Sequence, residues 1–277
     1  MIGRAEHRRS GSARAVTSLQ NPTVKFIRAL EMRKVRRDTG LFVAEGASIL
    51  VTARDTGWQP TTLVLLSGTA ATGVHHQLIE WAANAGAEIL EVSEAVLTKI
   101  ASKENPQNLL AVFAQRWHEL PRKIGTNDLW LALEEIRDPG NLGTIIRTAD
   151  AVGASGVILV GSCCDPYSHE AVRATMGSIF SVPLVQTDRA QFLAWRSEWP
   201  GEVVGTHLAA RHDFRSLSYG GPTLLLMGSE GPGLSNELAN SCTRLVKIPM
   251  AGGLDSLNVA VAAALTLYQI RGPHLKV

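Results

Sequence analysis

The amino-acid sequence predicts an α/β fold, in which a small N-terminal α/β domain precedes a larger domain built on a parallel sheet. Two patterns lead to this prediction. Short apolar runs alternate with segments of helical periodicity along most of the chain. In the second half the apolar runs are continuous, which indicates parallel strands covered on both faces. A chain of 277 residues, 45% of them hydrophobic, is long enough for two domains of ordinary size.

The N-terminal segment, residues 1–17, is rich in small, polar and basic residues and lacks periodicity, so we expect a disordered arm. Residues 1–15 lack the apolar centre of a secretory signal. No apolar run of the chain approaches the roughly 20 residues that span a bilayer. We therefore expect a cytoplasmic protein that does not enter a membrane.

The first domain is expected over residues 18–115. Asn21 is placed to cap a helix that begins at Pro22, and apolar residues at near-helical spacing extend this basic amphipathic helix to Gly40. Further strands are predicted at residues 41–44, 62–66, 88–92 and 108–114, and further helices at 48–54, 76–85 and 93–101.

The second domain is expected over residues 128–277, after a linker at residues 116–127 that contains a proline, a glycine and mixed charges. Its strands are predicted at residues 129–133, 156–160, 182–186, 202–205, 223–227 and 245–248, and its helices at 142–152, 168–176, 189–197, 234–240 and 257–270. In open parallel sheets, ligands bind beyond the carboxyl ends of the strands. The loops that follow Leu133, Gly205, Met227 and Ile248 therefore form the candidate binding region.

The formal net charge of +2 conceals a basic N-terminal portion. Ten lysines and arginines lie within residues 1–37, against two glutamates. This distribution is typical of proteins that bind a polyanion, most simply nucleic acid. A solvated helix face with a disordered tail is the alternative that charge alone leaves open. The candidate nucleic-acid-binding residues on the predicted helix are Lys25, Arg28, Arg33, Lys34, Arg36 and Arg37.

The three cysteines and eight histidines form neither a disulfide framework nor the spacing of a metal site. We therefore predict no metal.

A glycine-rich loop follows the apolar run that ends at Met227. The spacing of Gly228 to Gly233 is neither the dinucleotide fingerprint nor a phosphate loop, which disfavours nicotinamide cofactors and nucleoside triphosphates. The glycines around Glu230 indicate that this carboxylate faces a ligand, and an exposed turn residue is the alternative.

Two further segments carry polar residues next to predicted helices. Asn141 is placed to cap the helix that follows it. Arg147 and Asp150 are three residues apart, which fits either a surface salt bridge or a cationic fork that Asp150 holds toward a phosphate. Ser256 is placed to cap the last helix, and Asn258 would then be a polar residue of its first turn. The alternative is a ligand site, because the free backbone donors of a helix N-terminus can receive a ligand carboxylate.

Three sequence blocks, taken together, resemble the SpoU family of RNA ribose 2′-O-methyltransferases, within the knotted α/β methyltransferases. The blocks are DPGNLGTIIRTADAVGASGVILV (residues 138–160), LLLMGSEGPGLS (residues 224–235) and IPMAGGLDSLNVAVAAAL (residues 248–265). Residues 16–50 resemble, more weakly, the RNA substrate-binding domain that precedes the catalytic domain in many members. This second resemblance favours RNA as the polyanion.

The resemblance implies a deep trefoil knot near the C-terminus, S-adenosylmethionine bound bent within the knot, and a homodimer of two C-terminal domains. Glycines of the loop would make room for the methyl donor. The implied cofactor-binding residues are Thr206, His207, Leu208, Gly228, Ile248, Met250 and Leu257. The implied catalytic residues are Asn141, Arg147, Glu230, Ser256 and Asn258.

The implied reaction transfers an already activated methyl group, so the protein must align a ribose hydroxyl and help to remove one proton. A guanidinium stays protonated in proteins. We therefore expect Arg147 to polarise the hydroxyl and bind the neighbouring phosphate, while Glu230, Ser256 and Asn258 order the site. Ribosomal RNA is the favoured substrate. The alternatives are transfer RNA, a methylated base in place of ribose, and a non-catalytic RNA-binding protein on the same scaffold.

Overall fold

The computed structural model describes residues 13–69, 72–101, 107–252 and 256–275. The chain divides into two compact units. Unit 1 comprises the chain up to Gln115 together with Tyr167–His169, and unit 2 comprises Arg116–Pro166 and the chain from Glu170 onward.

Unit 1 is a five-stranded mixed sheet with helices. Its strand order is β1-β4-β3-β5-β2, in which β2 and β3 pair antiparallel with β5, and the remaining pairs are parallel. The elements are β1 (Arg14–Val16), α1 (Pro22–Ala29), α2 (Arg33–Thr39), β2 (Leu41–Glu45), α3 (Ala47–Asp55), β3 (Pro60–Leu66), α4 (Gly73–Asn84), β4 (Glu88–Val92), α5 (Glu94–Ile100) and β5 (Leu109–Ala114).

The basic helix predicted from Asn21 to Gly40 is wrong as a single element, because the chain forms two helices, α1 and α2. Asn21 caps α1 as predicted, and its Oδ1 accepts a hydrogen bond from the Thr23 amide at 2.9 Å. Gly40 ends α2 in the left-handed conformation, with φ 67°. The chain leaves the helical conformation at Met32, where φ is −79° and ψ is 125°.

The side chain of Arg36 stabilises this break. Its Nη1 donates hydrogen bonds to the carbonyls of Leu30 at 2.8 Å and Glu31 at 2.7 Å, which lie just beyond the end of α1. Arg36 is only 3% exposed. The prediction that Arg36 contacts nucleic acid is therefore wrong, whereas the other five candidates are exposed: Lys25, Arg28, Arg33, Lys34 and Arg37.

The predicted disordered arm is wrong at its C-terminal end. Residues 14–16 form strand β1, in which Val16 pairs with Val92 and is 4% exposed. Residues 1–12 of the predicted arm lie outside the described residues.

Unit 2 contains the predicted parallel sheet, with seven strands in the order β10-β12-β9-β11-β6-β7-β8. Every pair of neighbouring strands is parallel. The elements are β6 (Leu129–Glu134), α6 (Pro139–Ala151), β7 (Gly156–Val160), α7 (His169–Ala174), β8 (Leu184–Thr187), α8 (Arg189–Arg196), β9 (Glu202–Thr206), β10 (His212–Asp213), β11 (Thr223–Met227), α9 (Asn236–Ser241), β12 (Arg244–Lys247) and α10 (Val259–Arg271).

The burial of the central strands confirms the reasoning from continuous apolar runs. Every residue of β6, β7 and β11 is buried, as expected for parallel strands covered on both faces. Gly143 lets α6 pack closely on α7, because a Cβ at this position would lie 2.6 Å from the Ala174 Cβ. The two-residue strand β10 was not predicted from the sequence.

None of the helices in the part of the chain that the structure describes combines the length and apolar composition needed to cross a membrane. Strand order alone does not show how a chain is threaded, so the trefoil knot stays a prediction.

Candidate active site

The loops predicted to form the binding region belong to four adjacent strands of unit 2. These strands stand in the order β12-β9-β11-β6 and all run in the same direction. Their carboxyl ends, and the loops that follow, therefore lie along one edge of the sheet, where α/β proteins bind ligands. The loop after β12 leads toward α10, although residues 253–255 of this connection lie outside the described residues.

Three of the predicted catalytic side chains form one hydrogen-bonded chain. Asn141 Nδ2 donates to Glu230 Oε1, and Asn258 Nδ2 donates to Asn141 Oδ1 at 3.0 Å. Asn258 Oδ1 in turn accepts from the amides of Ala260 at 2.9 Å and Val261 at 3.3 Å, in the first turn of α10. The contacts join residues separated by 89 and 117 positions in the sequence. The fold thus brings together one residue from each resemblance block.

The caps of the two helices at the site differ from the prediction. Asp138 caps α6, because its Oδ1 accepts a hydrogen bond from the Asn141 amide at 2.6 Å. Asn141 is therefore not the cap, and its side chain is left for Glu230 and Asn258. Asn258, rather than Ser256, caps α10, and Ser256 is exposed just before it.

Arg147 lies apart from the hydrogen-bonded chain. It is exposed on α6, and helix geometry places it about 120° around the axis from Asn141 and about 9 Å further along it. Neither of the two alternatives for Asp150, a surface salt bridge or a contact that holds the guanidinium, is seen: among the described residues, Arg147 has neither an ion-pair nor a hydrogen-bond partner. Its guanidinium is accessible to a ligand from solvent.

The glycine-rich loop packs on itself. Gly228 is buried, and a Cβ there would fall on backbone atoms of Gly233 and Leu234. The Gly233 amide donates to the Ser229 carbonyl at 3.0 Å, and Gly231 and Gly233 have φ of 92° and 70°. The missing side chain of Gly228 therefore makes room for the loop itself, and a contact of Gly228 with the methyl donor stays a prediction. The result is a tight loop with Glu230 exposed near its tip.

Two residues behind this loop, Glu134 and Arg189, were not predicted from the sequence. Glu134, the last residue of β6, is 3% exposed, and its Oε2 accepts a hydrogen bond from the Ser235 amide at 2.7 Å. Its Oε1 accepts from Arg189 Nε at 3.1 Å and lies 2.8 Å from Arg189 Nη2. A carboxylate at the end of an otherwise apolar strand was the signal available in the sequence.

The predicted cofactor residues combine backbone groups with apolar side chains along the same edge of the sheet. Thr206 pairs with Val246, and the His207 amide donates to the Val246 carbonyl at 2.9 Å. Leu208, Met250 and Leu257 are large apolar residues that remain 64%, 36% and 36% exposed. Ile248 is half-buried.

The cysteines of unit 2 are unsuited to chemistry as thiolates. Burial is the main cause that raises the pKa of Cys164 and of Cys242 to about 12, and it also raises the pKa of Cys163. At neutral pH these thiols stay protonated, and a thiolate is the form that attacks a substrate or binds a metal. In the described part of the chain, no group of three or more His, Cys, Asp and Glu side chains could hold a metal ion.

Two family models match the chain. The SpoU rRNA Methylase family matches residues 128–268, which include all the residues of the hydrogen-bonded chain. The chain belongs to this family. The MRM3-like substrate binding domain matches residues 21–111, so a substrate-binding domain precedes the SpoU domain.

Known relatives cover nearly all of the chain. A 23S rRNA (uridine(2479)-2′-O)-methyltransferase of Streptomyces viridochromogenes is 31% identical, over 97% of this chain and 95% of the relative. The 23S rRNA (guanosine(2553)-2′-O)-methyltransferase RlmP of Bacillus subtilis is 29% identical, over 93% and 99%. The solved structure of an AdoMet-bound rRNA methyltransferase from Sinorhizobium meliloti is 43% identical with a TM-score of 0.89, and covers 95% of this chain and 99% of that one.

Two substitutions of Asn258 should separate its capping role from its role in the site. Asn258→Ala should lower the free energy of unfolding by about 1 kcal/mol, because the cap is lost, whereas Asn258→Asp should stay within about 0.5 kcal/mol. Both variants lose the donor to Asn141 Oδ1 and should shift the NMR resonances of the Asn141 side-chain amide. Asn240→Asp, at an exposed position of α9, is the control. Unshifted Asn141 resonances in Asn258→Asp would show that the hydrogen bond does not form in solution.

Proposed function

We propose that this protein uses S-adenosylmethionine to methylate a ribose 2′-hydroxyl in ribosomal RNA. The observation that carries the proposal is the hydrogen-bonded chain of Glu230, Asn141 and Asn258 at the ligand-binding edge of the sheet. Membership of the SpoU family and the names of the Streptomyces and Bacillus relatives support a ribosomal substrate. A cytoplasmic location, as expected from the sequence, fits such a substrate.

The residues along the sheet edge fit S-adenosylmethionine. Leu208, Met250 and Leu257 offer exposed apolar surface, and backbone groups of residues 206–208 and 248–250 lie at the ends of neighbouring strands. Apolar surface with a few polar groups is typical of small-molecule sites. We propose that these residues hold the cofactor and that Gly228 contributes by shaping the loop beside it. When bound, the cofactor supplies a methyl group on a sulfonium, activated for transfer to an oxygen nucleophile.

The polar residues would orient the ribose. Asn141 holds one carboxylate oxygen of Glu230, which leaves the other oxygen to accept a hydrogen bond from the hydroxyl and then to take up its proton as the new oxygen–methyl bond forms. Asn258 fixes Asn141 and is itself fixed by the first turn of α10. Ser256 lies exposed at the same helix start. The site is thus organised before substrate arrives, which lowers the cost of reaching the reactive geometry.

Arg147 would contact RNA from solvent. Its guanidinium stays protonated, so it can bind a phosphate and stabilise negative charge that develops on the 2′-oxygen, but it cannot take up the proton. The absence of a partner for Arg147 among the described residues supports this role, because no hydrogen bond or ion pair of the exposed guanidinium has to be broken before it binds a phosphate.

Unit 1 would hold the RNA through helices α1 and α2. The exposed cations there can neutralise phosphates, and Phe26, which is 37% exposed between Lys25 and Arg28, can stack on an unpaired base. The proposed RNA-contacting residues are Lys25, Arg28, Arg33, Lys34 and Arg37.

A second copy of the chain would cover one face of α10. Val261, Leu265 and Tyr268 are spaced four and three residues apart and are 49%, 42% and 47% exposed, so they form an apolar stripe on one helix face. The stripe continues toward Leu257, which is also exposed, and so reaches the edge of the proposed site. We propose that this face is the homodimer interface that the family resemblance implies. Apolar surface of this kind marks interaction sites.

The reaction is tested by incubating the protein with S-adenosylmethionine and ribosomal RNA from cells that lack the gene. Digestion of the RNA to nucleosides should yield a new 2′-O-methylnucleoside.

Arg147→Lys should lower kcat about tenfold or more, because an ammonium lacks the planar fork, while cofactor affinity stays within about twofold. Arg173→Lys, at an exposed position of α7, should match the wild type. A methylated base, or methylation of transfer RNA alone, would overturn the proposal, and full activity of Arg147→Lys with unchanged RNA affinity would remove the role of Arg147.

Adjacent arginines allow a matched test of the RNA surface. Arg37 is exposed and Arg36 is buried. Reversing charge at Lys34 and Arg37 to Glu should weaken RNA binding about tenfold or more and reduce the slope of log K against log salt by about 2, without loss of stability. Arg36→Ala should instead lower the free energy of unfolding by about 1–3 kcal/mol, because two carbonyls lose their donor, and should leave the salt slope of the folded protein unchanged. Equal salt slopes in both variants would contradict the assignment.

The dimer is tested by analytical ultracentrifugation. Leu265→Glu should convert the protein to a monomer, because a charge cannot be buried without a partner at an apolar interface. Val74→Glu places the same change at a residue of α4 that is 41% exposed, and should leave the mass unchanged. A wild-type protein that sediments as a monomer at about 50 µM, a concentration at which a dimer with a Kd of about 1 µM is largely formed, would refute the homodimer.

A further inference from the structure

Glu134 is a buried carboxylate at the end of a strand that is otherwise apolar. All six residues of β6 are buried, and the Glu134 side chain is 4% exposed. Burial of a charge is unfavourable unless hydrogen bonds and an opposite charge compensate for it. The partners of Glu134 therefore indicate what the residue does.

Each carboxylate oxygen of Glu134 has its own hydrogen-bond partner, one on the backbone of Ser235 and the other on the side chain of Arg189. Oε2 accepts a hydrogen bond from the Ser235 amide at 2.7 Å, and Oε1 lies 2.8 Å from Arg189 Nη2 and accepts from Arg189 Nε at 3.1 Å. Arg189 also lies 3.5 Å from Glu135 and 3.6 Å from Glu237. One guanidinium thus faces three carboxylates, and Glu134 is the buried one. Arg189 compensates the charge, whereas the contact with Ser235 reaches the glycine-rich loop.

The Ser235 amide marks the far end of the loop that carries Glu230. The near end of the loop begins after Met227, which pairs with Leu133, the residue before Glu134. Strand β6 therefore fixes the loop at both ends: through the ladder at Met227 and through the Glu134 carboxylate at Ser235. Between these points the loop turns back on itself at Gly228 and Gly233 and presents Glu230 to Asn141.

We propose that Glu134 is a positioning residue, whose carboxylate holds the Gly228–Ser235 loop so that Glu230 meets Asn141. This role rests on the proposed function where it concerns catalysis. Glu134 lies behind the loop and does not contact substrate, since its side chain is buried. Its effect on the reaction passes through Glu230.

The test compares Glu134→Gln with two matched variants. An amide has one acceptor oxygen, and the charged guanidinium of Arg189 binds that oxygen more strongly than a backbone amide does, so the NH2 group would face the Ser235 amide and the Ser235 contact is lost. Arg189→Lys keeps the positive charge and leaves the Ser235 contact in place. Glu202→Gln removes a carboxylate that lies 3.2 Å from Arg244 at the amino end of β9, on the opposite edge of the sheet from the site.

Two readouts are measured: hydrogen exchange of the Ser235 amide, and kcat with KM on ribosomal RNA. Glu134→Gln should speed exchange at Ser235 about tenfold or more and lower kcat about tenfold, with KM within about twofold, because the loop is held less often in the reactive geometry. Glu202→Gln should change neither by more than about twofold. Arg189→Lys loses the planar fork that contacts Glu134 but keeps the Ser235 contact, so both readouts should change less than in Glu134→Gln. In the wild type, the Ser235 amide should be protected like the amides of β11.

The outcomes separate this proposal from the proposed function. Unchanged exchange at Ser235 in Glu134→Gln, or wild-type exchange as fast as at Gly231, would overturn the anchoring of the loop whether or not the protein is active. Faster exchange with unchanged kcat would overturn the catalytic consequence, as would an equal loss of kcat in Arg189→Lys. If Glu134→Gln does not fold, protection of Ser235 in the wild type still decides the anchoring. A wild type inactive on all RNA would refute the proposed function, while the exchange data would still test the anchor.

Discussion

The side-chain amide of Asn141 is the group on which the site depends. An amide both donates and accepts hydrogen bonds, so one residue can engage Glu230 with its nitrogen and Asn258 with its oxygen. A carboxylate or a hydroxyl in this place could not bind a carboxylate and an amide donor in the same fixed way. The parallel sheet serves this contact, because it places the end of β11 beside the end of β6, from which α6 follows.

Much of the fold could be predicted because strands and helices follow from local patterns. Apart from the split of the basic helix, the predicted elements agree with the observed ones to within three residues at each end. The same local reasoning failed where the outcome depends on distant partners. Arg36 looks like its neighbours in the sequence, and only the carbonyls at the end of α1 show that it is a structural residue. Charge counted along a chain does not distinguish a buried guanidinium from an exposed one.

In the site, too, some features follow from local patterns and others depend on distant partners. The candidate loops and the catalytic set followed from motif blocks, yet the roles of individual residues required contacts that no local pattern contains. Each of the two helices has two polar residues near its start that could act as the cap. Asp138 rather than Asn141 caps α6, and Asn258 rather than Ser256 caps α10. The reason for a glycine at position 228 also lies in Gly233, five residues away, because a Cβ at Gly228 would fall on the Gly233 backbone. The role of Glu134 could not be predicted, because its partner Ser235 lies 101 residues later.

The order of strands in the two units has a consequence for synthesis on the ribosome. Strand β6 pairs with β11, about ninety residues further along the chain, and Asn258 is needed to complete the site. Parallel pairing over such separations is slow to form, and a chain that emerges N-terminus first cannot begin it early. The core of unit 1 is likewise completed only when Tyr167 has been synthesised, because the Tyr167 ring centroid lies 4.7 Å from that of Phe42 in this core. A nascent chain therefore exposes its apolar strands until most of its length has been made, and during that time aggregation competes with folding.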